Sequence, residues 1–278
     1  MAAMRLKAAF IVALGFILLA SATVQAIVLI PAALRAPTAY VELVHDKKDC
    51  PGGACFVEYI ILSDGQALKK QFDSPDHEKT KPSLTVRTIP FETAQEILAD
   101  AARFFSTPRH HSNKKKDRDT LYYFDGSTLH AFTSAMGEDK PPAYDEIFAK
   151  AANAFDKGEA EDDFYIHDYY QPVTGDIEDF HIFPSGTVIF SLFSRKEVRM
   201  KSTSIFGIDE ATLETSRKML DKVFAQQPSA YKKCPAASGL TYAHLEIKNE
   251  GSIYKSYTCA DDETELTKLF QFIRALKP

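Results

Sequence analysis

Phe56-Val-Glu-Tyr-Ile-Ile-Leu-Ser-Asp-Gly-Gln-Ala-Leu-Lys-Lys-Gln-Phe72 sets two short apolar-rich runs either side of a turn at Gly65. Ile177-Glu-Asp-Phe-His-Ile-Phe-Pro-Ser-Gly-Thr-Val-Ile-Phe-Ser-Leu-Phe193 does the same around Gly186, with Phe72 and Phe193 in register. Internal repetition of this kind fixes the architecture before any single residue does. Val57, Tyr59 and Ile61 alternate with Glu58 as a strand requires, and Ser-Asp-Gly is strong turn chemistry. Downstream, Phe91, Ala94, Ile97, Leu98, Ala101, Phe104 and Phe105 fall at helical spacing after Pro90. A second hairpin runs from Thr120 to Phe132 and turns on Asp125-Gly126. Tyr144, Ile147, Phe148, Ala151, Ala152 and Phe155 then mark a second helix.

The other copy repeats the order. Asp209 caps a helix carrying Leu213, Met219, Leu220, Val223 and Phe224. Leu245 to Tyr257 turns at Asn249-Glu-Gly251, and Leu266, Leu269, Phe270, Ile273 and Leu276 make the last helix. The expected fold is α+β: two tandem ββαββα repeats, each a small antiparallel sheet with helices on one face. The expected boundaries are 37–155 for the first repeat, 156–163 for an acidic linker and 164–278 for the second repeat. A groove between the copies is the expected ligand or partner surface.

Residues 1–36 read as an export segment. Arg5 and Lys7 precede an uncharged run, and Ala20-Ser21-Ala22 is a small-x-small cleavage pattern, with Val24-Gln25-Ala26 a second. Ile27 to Ile30 prolongs the apolar run, and residues 8–30 as a helix would be roughly 34 Å long, enough to span a bilayer. The segment is therefore either a cleaved signal peptide or an anchor in the inner membrane with its basic end in the cytoplasm. Four cysteines suit an oxidising destination, and the most local pairing is Cys50 with Cys55 and Cys234 with Cys259. A zinc site lacks the compact spacing of C-x-x-C pairs.

The rest is ordinary for a globular protein: 45% hydrophobic and 26% charged residues, with a net charge of −5. That mildly acidic balance speaks against nucleic acid as partner, since phosphate binding needs a basic face. Cys50-Pro51, Asp64-Gly65, Phe104-Phe105 and Asp119-Thr120 stand where an uncharacterised family of secreted bacterial domains places such pairs, and the first copy resembles that family. The resemblance implies an envelope protein with an α+β fold and supplies no catalytic residues.

Chemistry-bearing patterns are few. No Gly-x-Ser-x-Gly elbow, His-Glu-x-x-His pair or phosphate-cradling glycine loop occurs. Ser229-Ala-Tyr-Lys232 and Ser252-Ile-Tyr-Lys255 match Ser-x-x-Lys without the companion motifs of an acyl-enzyme. The best enzyme candidate is a hydrolase centred on His167, Asp168 and His181, on neighbouring strands. Imidazole with carboxylate could there hold zinc or act as acid and base. The plainer reading has His181 alternating out of a sheet. The most distinctive polar stretch is the loop with Arg109, Lys114, Lys115, Lys116 and Arg118, a cationic patch on an acidic protein. It suits an envelope protein or an anionic envelope surface. The expected role is non-catalytic binding with no cofactor, exported to the periplasm or envelope, and a purely structural protein of the envelope is the third reading.

Overall fold

The computed structural model describes residues 37–47, 50, 54–74, 80, 82–107, 118–135, 141–160, 164–172, 175–194, 199–225, 242–249, 252–259 and 264–278. In chain order the elements are β1 (Tyr40–Asp46), β2 (Phe56–Leu62), β3 (Gln66–Phe72), β4 (Ser83–Thr88), α1 (Phe91–Ser106), β5 (Arg118–Phe124), β6 (Leu129–Ala135), α2 (Pro142–Lys157) and β7 (Glu159–Ala160). They continue with β8 (Phe164–Gln171), β9 (Ile177–Ile182), β10 (Thr187–Ser194), β11 (Arg199–Gly207), α3 (Glu210–Ala225), β12 (Tyr242–Asn249), β13 (Ser252–Cys259) and α4 (Glu265–Arg274). The fold is mixed α+β, with two antiparallel sheets and four helices among the described residues.

Each half places four strands, where the spacing predicts two, before its first helix, and two more strands before its second. The first sheet runs β6-β5-β1-β2-β3-β4-β7 and the second runs β11-β10-β9-β8-β12-β13. In both, the opening strand of the half sits centrally, between its second strand and the strand that follows the first helix. The hairpin that decides the fold is β2–β3, with Phe56 opposite Phe72 and Ile60 opposite Leu68. Its counterpart β9–β10 sets Ile177 opposite Phe193 and His181 opposite Ile189. Of the acidic stretch 156–163, Asp156 and Lys157 close α2, and Glu159–Ala160 pairs with β4.

Both turn glycines do the same work. Gly65 and Gly186 have φ of 99° and 82°, a region that side chains with a Cβ rarely enter. Their carbonyls accept from the amides of Ile89 and Ile208, each at 2.9 Å, so each turn is tied to the chain entering the following helix. A Cβ on Gly65 would lie 2.6 Å from the Ile89 carbonyl oxygen, and one on Gly186 would lie 2.9 Å from that of Ile208.

Helices pack on one face of each sheet because their apolar stripes need cover. Val41, Leu43, Tyr59 and Ile61 meet Ile97 and Phe104 of α1 and Ile147 and Phe155 of α2. In the second sheet Phe164, Ile166, Phe180 and Ile182 meet Leu220 and Val223 of α3 and Leu269 and Ile273 of α4. The opposite sheet faces pack on each other: Tyr40, Ile60, Leu62 and Leu68 share a cluster with Tyr165, Phe183 and Ile189. The layers are therefore helices, sheet, sheet, helices, and the central strands are buried on both faces.

Local bonds close the helix ends. The Asp209 carboxylate accepts from the Thr212 amide at 2.7 Å, the N-cap expected from sequence. Thr264 caps α4 in the same way through the Thr267 amide at 3.1 Å. Arg87 on β4 donates to the carbonyls of Phe155, Asp156 and Gly158, which satisfies the end of α2. Cys50 and Cys55 form a disulfide with Cα atoms 5.1 Å apart at the entrance to β2. Cys234 and the side chain of Cys259 lie outside the described residues, as does the export segment 1–36. Among the described residues, no helix is long and apolar enough to cross a membrane.

Candidate functional site: a buried polar layer between the sheets

Strand alternation sends every second residue of the central strands away from the helices and toward the other sheet. In the second sheet this puts four polar residues in one cross-strand row. His181 on β9 is opposite His167 on β8, His167 is opposite Glu246 on β12, and Glu246 is opposite Lys255 on β13. Asp179 shares the face of His181, two residues away. The first sheet presents Glu42 on β1 and the directly opposed pair Glu58 on β2 and Lys70 on β3. All eight side chains are buried, with residue exposures of 7% or less.

The contacts form a chain. Glu246 Oε2 lies 2.9 Å from His167 Nδ1, and His167 Nε2 lies 2.6 Å from Asp179 Oδ1. The other carboxylate oxygen of Asp179 is 3.3 Å from His181 Nε2, and His181 Nδ1 is 2.5 Å from the Tyr165 hydroxyl. The two imidazoles stack, with centroids 4.5 Å apart and planes 11° from parallel. Lys70 joins the sheets: its Nζ is 3.1 Å from Glu58, 3.2 Å from Glu246 and 3.3 Å from His167 Nδ1. Lys255 approaches the other oxygen of Glu246 at 3.8 Å and lies over the Phe72 ring.

Further inter-sheet bonds flank the layer: Tyr40 donates toward Thr203 at 3.2 Å, and Gln66 donates to Ser185 at 2.6 Å. Within the second sheet, Ser191 and Thr203 are 3.0 Å apart.

Burial penalises charge here and partners restore it. Burial and the Lys70 ammonium both oppose a charged His167, yet the Asp179 and Glu246 carboxylates outweigh them and push its pKa up to about 9. Burial likewise opposes charge on Lys70, and Glu246, Glu58 and Asp179 overcome it, so its pKa is raised. Asp179 is desolvated, but the two histidines hold it well below the usual carboxylate range. Glu42 goes the other way: burial, then the Glu58 and Asp179 charges, raise its pKa well above normal. Burial and the surrounding carboxylates also raise the Tyr165 phenol. Neighbouring carboxylates therefore push His167 and Lys70 toward the charged form, and burial pushes Glu42 toward the neutral one.

Of the expected hydrolase triad, the structure brings His167 and His181 together and sends Asp168 elsewhere. Asp168 follows His167 in the strand, so it points to the opposite face, opposite Leu245 and Phe180 in the helix-covered core. It is fully buried, and neither carboxylate oxygen has a hydrogen-bond partner among the described residues. Burial raises its pKa well above the usual value. Asp179 takes the place expected of Asp168. Period-two alternation was the signal available, since Asp179 and His181 share a face and His167 and Asp168 cannot. Glu42 carried no such signal, and Glu58 with Lys70 and Glu246 with Lys255 read as solvent-facing cross-strand pairs of their own hairpins, because neither hairpin shows the second sheet that covers that face. In the basic loop, Arg109, Lys114, Lys115 and Lys116 lie outside the described residues, and Arg118 begins β5 with its side chain undescribed.

The sequence matches no protein-family model and no curated protein.

Proposed function

We propose that the chain is an exported envelope protein of two tandem repeats that acts by non-catalytic binding. One observation carries this reading: the His and carboxylate constellation best suited to chemistry is sealed between two sheets and paired internally. His167, Asp179, His181 and Glu246 expose 6%, 7%, 3% and 1% of their surface. A hydrolase needs its general base within reach of a bound substrate and of water, and these groups satisfy one another instead. The layer then serves to register one sheet on the other, as buried polar networks do in other folds.

The export reading draws support from the Cys50–Cys55 disulfide, since such bonds persist in oxidising compartments. Duplication draws support from the shared element order of the two halves and from the matched tethers at Gly65 and Gly186. The resemblance of the first copy to secreted bacterial domains agrees with export. Residues 8–30 would be the signal peptide or inner-membrane anchor. The centre of the expected inter-repeat groove is occupied by packed side chains. That leaves the loop with Arg109, Lys114, Lys115, Lys116 and Arg118 as the proposed contact surface, suited to an acidic envelope protein or an anionic surface.

The test is crosslinking in intact cells with the tagged full-length chain, beside a Lys114→Glu/Lys115→Glu/Lys116→Glu variant. One dominant captured species, lost in the variant, is the expected result. A species retained in the variant would remove the basic loop from the reading, and no reproducible capture would overturn the binding role.

A further inference from the structure

We propose that His167, Asp179 and His181 form a buried binding site for one divalent first-row metal ion of the zinc class. Donor geometry is the first argument. His167 Nε2 and His181 Nε2 lie 2.6 and 3.3 Å from the two oxygens of Asp179, and one ligand atom from each residue falls within 4.8 Å of the others. Donors placed ~2.0–2.1 Å from a tetrahedral ion are about 3.4 Å apart, so side-chain shifts of about 1 Å would seat the three groups around one ion. Two imidazoles and one carboxylate are a donor set that zinc and its neighbours accept.

The second argument is orientation. A metal-bound imidazole usually has its other nitrogen fixed by a carboxylate or another polar group. Here Glu246 holds Nδ1 of His167, and the Tyr165 hydroxyl holds Nδ1 of His181. Both rings thereby keep Nε2 turned to Asp179. Lys70 sits on the Nδ1 side of His167, across the ring from the donor nitrogen.

Parallel rings cannot both aim a lone pair at one point, so loading tilts one imidazole and breaks the stack. The site is distinct from the proposed contact loop, and its failure would leave the binding role standing.

The experiment uses the full-length, disulfide-intact chain, unfolded with chelator and refolded with Co²⁺ or Zn²⁺ so that a closed layer can take up the ion. Wild type is expected to bind one equivalent, to show the visible bands of low-coordinate Co²⁺, and to melt at a higher temperature with Zn²⁺. His181→Ile installs the kind of residue found at the matching position, Ile60, and is expected to weaken binding by about tenfold or more. His130→Gln, which removes a half-exposed histidine, should leave binding unchanged. Absence of one-equivalent binding to wild type, or binding indifferent to His181→Ile, would overturn the proposal. Should that variant fail to fold, nitrogen-15 shifts of wild type decide: Zn²⁺ must move Nε2 of both His167 and His181, and unmoved resonances reject the site.

Discussion

Lys70 and Asp168 show how differently a buried charge behaves with and without a partner. Lys70 contacts Glu58, Glu246 and His167 across the two sheets. Replacing it with Met leaves two buried carboxylates short of a counter-charge, and the expected loss is about 3–5 kcal/mol by urea denaturation. Asp168 has no hydrogen-bond partner among the described residues and sits against Leu245 and Phe180. Asp168→Leu should therefore stabilise the protein at neutral pH, by about 1–3 kcal/mol. The sign follows from its raised pKa, normally 3.8. The stability associated with this carboxyl is fully present below the unfolded value and lost as pH rises through the folded one. Urea midpoints of wild type should fall relative to the Leu variant as pH climbs from about 4 toward neutrality. A variant no more stable than wild type at pH 7 would mean that the carboxyl has an unrecognised partner.

At the scale of elements, the hairpins were legible and their neighbours were not. β2–β3 and β9–β10 announce themselves by apolar alternation around a glycine, and the four helices by apolar residues at helical spacing. β4 and β11 read SLTVRT and RMKSTSIFG, polar sequences that pass for loop. Glu42, His167 and Glu246 alternate with core residues as solvent-facing residues would, whereas the unbroken apolar run Tyr59 to Leu62 carries the trace of a second sheet over that face. The tight turns yield a sharper test. Gly65→Ala and Gly186→Ala should each destabilise by about 1–3 kcal/mol, since both combine positive φ with a close carbonyl. Gly207→Ala, where an added Cβ meets nothing within 4 Å, is the control and should change the thermal midpoint little. Equal effects at all three positions would remove the tether argument.

For the whole molecule, the arrangement of helices, sheet, sheet and helices turns two one-sided sheets into a body with a charged seam at its middle. Such a seam contributes little net stability against an apolar alternative, and it penalises any sliding of one sheet over the other. The same enclosure separates this reading from catalysis at His167, Asp179 and His181, which would require solvent and substrate to reach the imidazoles. Hydrogen–deuterium exchange at the imidazole Cε1 carbons, followed by mass spectrometry on the metal-free full-length chain, measures that access directly. His167 and His181 should exchange about tenfold or more slowly than His130, whose side chain is 35% exposed, because exchange must await opening of the sheets. Exchange of His167 and His181 at the rate of His130 would contradict a closed structural layer and point to an accessible active site.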